Sequence, residues 1–285
     1  MTLTEAYEAC RSITRAQARN FYYGFVLLPG PRRAAIYAAY AFSRRVDDSV
    51  DGDEPLERKL HLLADRRAEL DACYAGAPPA DDAVLVALTD TVRRCEIPRL
   101  HLDELLQGAE MDLTVRRYAD FAELKPYCDR VAGAVGLVSL HIFGFSDPEA
   151  PRRAADLGVA MQLVNIMRDV AEDAARDRIY LPADEMRAFG VSDDDLAAGR
   201  ATAGFRSLMA AQAERARTYF ASGERLLPML DRRARACVAM LAGLYREILS
   251  RIEERDYDVF GERVALSTPR KLALMGQTTI DALAR

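Results

Sequence analysis

The sequence predicts an all-α protein. Apolar residues recur with helical period along all 285 residues, alternating strand-like runs are nearly absent, and helix formers dominate a chain with only 16 Gly and 12 Pro. The periodicity places helices at about 4–18, 31–50, 55–74, 81–95, 99–115, 120–144, 148–174, 204–227, 231–255 and 268–283. Pro29-Gly30-Pro31 separates the first helix from the second, Gly76 to Pro79 the third from the fourth, and Pro148 opens the seventh. Pro126 falls inside the 120–144 pattern and either kinks it or marks its true start. The stretch from Arg176 to Gly199, with Leu181-Pro182, is the least regular. Without repeats, low-complexity tracts or long linkers, one helical domain over 1–285 is the simplest account.

Composition narrows the classes. Half the residues are hydrophobic and 29% charged, a globular profile, and a net charge of −5 argues against broad nucleic-acid binding. Arginine outnumbers lysine; its fork suits phosphate, although genome composition is the bland and the more common explanation of such a bias. The five cysteines (Cys10, Cys73, Cys95, Cys128, Cys237) are odd in number and form no C-x-x-C pair, so a disulfide framework or zinc site is not expected and a reducing cytoplasm is. Met1 to Glu5 has no basic-then-apolar signal pattern, and the uncharged stretch Val131 to Ser146 is shorter than the ~20 residues that span a bilayer. The expectation is a soluble cytoplasmic protein that meets a membrane, if at all, only with its surface.

Two acidic clusters carry the chemistry: Asp47-Asp48-Ser49-Val50-Asp51 and Asp169-Val170-Ala171-Glu172-Asp173. Each sets carboxylates at i and i+4, on one helix face, where like charges cost a bare helix about 0.2–0.5 kcal/mol per pair. Ile36, Tyr40, Arg44, Asp47 and Asp51 form one stripe on the second helix; Gln162, Asn165, Asp169 and Asp173 form another on a helix otherwise apolar almost all round. A single such motif is usually a solvated face. Two of them on apolar helices, each beside an arginine, point to a buried cation, and a hard ion held partly by water and phosphate oxygens fits Mg2+. Asp193-Asp194-Asp195 lacks that setting and reads as a helix N-terminus. His61, His101 and His141 show no ligand spacing, and Tyr127 by spacing alone is an ordinary core tyrosine. No G-x-S-x-G, Walker-type loop or G-x-G-x-x-G element is present.

From about Thr14 to Lys271 the residues resemble the head-to-head trans-isoprenyl diphosphate synthases, the squalene and phytoene synthase family. Asn20-Phe21-Tyr22-Tyr23-Gly24 with Leu27-Leu28-Pro29 resembles the family's substrate entry, and Arg44 to Asp51 its first aspartate motif. Tyr127 to Gly136 is similar to its tyrosine-led helix, and Gln162 to Asp173 with Arg178-Ile179-Tyr180-Leu181-Pro182 to its second motif. The resemblance implies an all-α isoprenoid synthase fold around a central cavity, with Mg2+ and two prenyl diphosphates between the motifs. It implies Asp47, Asp51, Asp169, Asp173 and Asn165 as metal-site residues, with the four aspartates counted among the catalytic groups, and Arg44, Arg168 and Arg263 as diphosphate contacts. Tyr127 becomes the candidate for proton transfer or cation steering, while Asn20, Phe21, Tyr40, Gln162 and Tyr245 contact substrate. Ala18 and Asn20 stand where many members carry serines, and the chain stops at Arg285 without the anchor of eukaryotic squalene synthases.

The entry segment and Ile142-Phe143-Gly144-Phe145-Ser146-Asp147 look closer to the bacterial hopanoid-pathway enzymes, so the expected reaction is condensation of two farnesyl diphosphates to presqualene diphosphate, with reduction to squalene left open. NADPH is an open cofactor: no Rossmann-type motif marks it, but NADPH-using members bind it without one. The alternatives are phytoene synthesis from two geranylgeranyl diphosphates, a terpene cyclase that ionises one substrate, and a non-catalytic scaffold homologue. Oligomeric state is not legible.

Overall fold

Polar caps and prolines start most of the helices. Thr2 and Glu5 form a reciprocal capping box at α1 (Leu3–Gln17), and a short α2 (Phe21–Phe25) leads to Pro29, which precedes α3 (Gly30–Val50). α4 (Leu56–Tyr74) follows Pro55, Asp82 caps α5 (Ala83–Arg94), and α6 (Arg99–Thr114) follows Pro98. The computed structural model describes residues 1–18 and 21–284, with side chains described to residue 278; Asn20, expected at the entry, lies outside the described residues.

The expected 120–144 helix is three pieces: α7 (Phe121–Cys128), which contains Pro126, a π-helical turn (Asp129–Gly133), and α8 (Ala134–Phe143). The expected 148–174 helix also divides, into α9 (Ala150–Arg168) and α10 (Val170–Ala175), with Asp169 at the break (φ −103°, ψ 12°). Asp169, Glu172 and Asp173 crowd one turn there, and two arginines grip Asp169, so the helix opens where its charges concentrate. The Asp173 amide still donates to the Asp169 carbonyl at 2.9 Å, which keeps both carboxylates on one side. The irregular stretch holds α11 (Ala183–Ala188) and α12 (Asp193–Ala197), the latter capped by Ser192 with Asp195, as the acidic run suggested. α13 (Ala203–Gly223), a 3-10 turn (Glu224–Met229), α14 (Arg232–Glu254) and α15 (Thr268–Ala284) complete the chain.

α9 is the central element, packed on α13, α8, the π turn, α14 and α7. Its approach to the π turn is a backbone contact: a Cβ on Gly158 would lie 2.4 Å from the Ala132 carbonyl oxygen, and one on Gly136 of α8 would lie 2.6 Å from that of Ala154. The fold is all-α; among the described residues the extended pairing is one isolated parallel bridge, Arg117 with Ile179. The buried side chains form one contiguous cluster, Phe42, Phe205 and Phe220 among its largest members. All five cysteines are free, four of them buried. No described helix is long and apolar enough to cross a membrane.

Candidate active site

A cavity of about 400 Å³ opens between α3, α6, α8, α9 and α14. Its walls are apolar and aromatic, with Phe25, Ile36, Leu105, Val138, Phe143, Leu157 and Leu241 among them. It continues into a polar mouth of about 480 Å³ that holds Arg44, Asp47, Asp51, Arg168, Asp169, Asp173 and Arg263. Phe21, Tyr40, Tyr127, Gln162, Asn165 and Tyr245 line both chambers, so the described site residues expected from sequence all converge on one place.

The two acidic pairs are held differently. On α3, Arg44 pairs with Asp48 and stands 3.5 Å from Asp51. At the α9–α10 break, Asp169 receives two guanidinium forks: Arg168 donates through Nε at 2.8 Å and Nη2 at 2.5 Å, and Arg263 through Nε and Nη2, both at 2.9 Å. Arg263 also reaches Glu172 at 3.1 Å. Asp47 keeps solvent contact through the mouth, but protein encloses it closely enough that desolvation, opposed by Arg44 and reinforced by Asp51 and Asp112, pushes its carboxyl up to about 7. Burial and then Asp169 push Asp173 up to about 7 as well. Among the described residues no three Asp, Glu, His or Cys side chains converge closely enough to cage a metal alone. The donors are nevertheless hard oxygens, and Asp51 still raises Asp47 and Asp169 still raises Asp173 despite the arginines, which fits an ion completed by substrate and water.

Sequence reasoning missed an acid behind the mouth. Asp112 of α6 lines the cavity, and the Tyr180 hydroxyl donates to its Oδ1 at 2.7 Å. Tyr180 stacks on Tyr127 with ring centroids 5.0 Å apart, and Tyr118 packs on both at 6.0 and 5.8 Å. The bridge that joins Arg117 to Ile179 sets Tyr118 beside Tyr180, since the Ile179 amide donates to the Arg116 carbonyl at 3.0 Å. Burial drives the Tyr127 hydroxyl well above the usual phenol range, with Asp112 reinforcing it. The signal was available: Leu102, Leu105, Ala109 and Asp112 recur on one face of α6, an acid on an apolar stripe.

On the opposite wall, Tyr245 is buried and hydrogen-bonds Asn165, whose Nδ2 donates to Gln162 Oε1 at 3.2 Å. Phe21 stands 6.1 Å from the Tyr245 ring. His101 lines the cavity and packs against His141 at 5.7 Å; burial lowers both imidazoles, as expected of structural histidines.

Comparison with known proteins places this geometry. The squalene/phytoene synthase family model matches residues 14–270. The 15-cis-phytoene synthase of Synechococcus elongatus is 41% identical over 283 residues, 95% of this chain and 91% of its own, and the phytoene synthase of Mycobacterium tuberculosis 42% identical over 272 residues, 94% and 89%. Among solved structures, a dehydrosqualene synthase in complex with ligand superposes with TM-score 0.91 at 28% identity, covering 99% of this chain and 98% of its own. A squalene synthase from Alicyclobacillus acidocaldarius gives 0.84 at 30%, covering 90% and 96%. The match takes in both acid-bearing segments, the tyrosine helix and Arg263 alike, and the chain belongs to the squalene/phytoene synthase family of prenyltransferases.

Proposed function

We propose that the protein joins two geranylgeranyl diphosphates head to head to give phytoene. Head-to-head condensation of prenyl diphosphates is the reaction of the family. The observation that carries the finer reading is identity: phytoene synthases match at 41% and 42% over nearly the whole chain, against 28% and 30% for the dehydrosqualene and squalene synthases of known structure. This displaces the farnesyl reading of the entry segment, which rested on Asn20 to Tyr23 and Ile142 to Asp147. Farnesyl diphosphate is the second reading, favoured by the 0.91 superposition on a dehydrosqualene synthase.

In this reading Asp47, Asp51, Asp169, Asp173 and Asn165 would hold Mg2+, which supplies positive charge to the departing diphosphate. Arg44, Arg168 and Arg263 exchange their carboxylate partners for diphosphate oxygens, an exchange their forks accommodate without changing shape. Phe21, Tyr40 and the apolar walls keep water from the allylic cation, and the common cavity supplies proximity for attack by the second double bond. Tyr127, which lines both chambers, is the residue this reading assigns to the proton lost as the cyclopropane closes.

The test is incubation of purified protein and Mg2+ with each prenyl diphosphate, with and without NADPH, and identification of products by mass spectrometry. Phytoene from geranylgeranyl diphosphate is expected in both arms. Presqualene diphosphate from farnesyl diphosphate, with no phytoene, would reinstate the second reading, and a shift to squalene with NADPH would extend it.

A further inference from the structure

We propose that Asp112 receives, through Tyr127, the proton lost when the cyclopropane ring closes. The inference rests on the head-to-head reading above and adds a residue that neither aspartate motif contains. A neutral phenol accepts a proton only if its own hydroxyl proton can leave at the same time. Asp112 and Tyr180 are the hydrogen-bonding neighbours of the Tyr127 hydroxyl. Tyr180 already donates its hydroxyl to Asp112 Oδ1 at 2.7 Å, so the member of the trio able to take a net proton is the carboxylate. Ring contacts of Tyr127 with Tyr180 at 5.0 Å and with Tyr118 at 5.8 Å restrain its ring beside the carboxylate. Burial keeps Tyr127 protonated at neutral pH and raises Asp112, which improves it as a base. The charged groups facing Asp112 are Arg178, which favours the carboxylate, and Asp51, which disfavours it; Asp47 and Asp173 sense it across the mouth.

The step balances. Attack by the second double bond consumes the allylic cation left by diphosphate departure and leaves a tertiary cation. The C–H bond at the carbon that joins the two prenyl units then breaks, and its electron pair becomes the new ring C–C bond, quenching that tertiary cation. The proton goes to Tyr127 Oη as the Tyr127 hydroxyl proton goes to Asp112, which becomes a carboxylic acid. Nothing is oxidised or reduced. Asp112 acts through Tyr127 and is a positioning residue that also holds the proton.

The readout is the ratio of diphosphate released to hydrocarbon formed from geranylgeranyl diphosphate and Mg2+, with prenyl alcohol measured as the product of cations captured by water. In Asp112→Asn the amide oxygen still accepts from Tyr180 but takes no proton. Hydrocarbon should fall about 100-fold while diphosphate release falls far less, so that the ratio and the alcohol both rise. Asp112→Glu should restore the ratio towards wild type. Release and hydrocarbon falling together would mark a merely structural residue, and unchanged hydrocarbon would remove Asp112 from the path; either result overturns the proposal. A measurement on the wild-type enzyme needs no variant to fold: in D2O the ratio should rise, because an exchangeable proton moves as the ring closes, and a ratio unchanged in D2O also overturns the relay. Failure of the underlying function would show earlier, as no head-to-head product from the wild type.

Discussion

Asp169 is the most heavily paired acid of the mouth, with two arginine forks on one carboxylate. Such charge-assisted pairs are strong where water is scarce, so a diphosphate bound as proposed above would have to offer both arginines a better anion. Asp169→Asn keeps the size and removes the charge; turnover should fall by about 100-fold or more with the circular dichroism spectrum unchanged. Wild-type activity at saturating Mg2+ would dismiss Asp169 from the site. Asp47 and Asp173 supply a pH prediction. Each has a folded pKa near 7, above the ordinary 3.8, so between about 4 and 7 the folded chain holds protons that the unfolded chain has released. Stability of the metal-free protein should therefore fall as pH rises through that window and level off above it. The lowered acids Asp82 and Glu185 act at more acidic pH, whereas the lowered imidazoles of His101 and His141 oppose the trend just below 6.5, so the contribution of Asp47 is read as a difference from its variant. Urea midpoints in EDTA at pH 5 and pH 8 measure it against Asp47→Asn: the wild type should lose more stability across the window than the variant, and equal pH dependences of the two would contradict the assignment.

At the scale of elements, the π turn after α7 marks the join between the tyrosine segment and the cavity wall. Its geometry depends on α9 running against its backbone, and Gly158 permits that approach. Gly158→Ala should cost about 1–3 kcal/mol through overpacking against a carbonyl that has nowhere to move. Gly243→Ala on α14, where an added Cβ meets nothing within 4 Å, should instead be neutral or stabilise by about 0.5–1 kcal/mol. Thermal melts of both variants decide it, and equal effects would mean that the α9 contact does not constrain the turn. The same contact explains what the sequence could and could not say. Helices α1, α3, α4, α5, α6 and α14 follow from periodicity and caps to within a residue or two. The breaks at Asp129 and Asp169 did not, because a backbone approach from another helix and an arginine reaching from residue 263 leave no local pattern. α2 is one turn and a half, too short for a period to register.

For the molecule as a whole, the acidic pairs hang from helices whose other faces belong to one contiguous core, so the fold is expected to stand without a metal. EDTA should stop catalysis and leave the helical signal and its melting cooperativity in place. A protein that melts on chelation would have a structural ion, contrary to this arrangement. The mouth was legible because its charges are conspicuous wherever they occur in a chain. The far end of the cavity was not: Leu102, Leu105, Val138, Leu140 and Phe143 are ordinary helix residues, and the prenyl length they admit is a property of shape, with no motif to announce it.

The aromatic cluster behind the mouth has an optical consequence. The chain contains 12 tyrosines and no tryptophan, so its ultraviolet emission comes from phenols alone, with no indole to swamp them. Tyr118, Tyr127 and Tyr180 form a stack beside a carboxylate, an arrangement that darkens phenol emission by passing excitation and protons to neighbours. Because Tyr127 lines both chambers, filling the reaction chamber should change that native emission, a signal readable without a label.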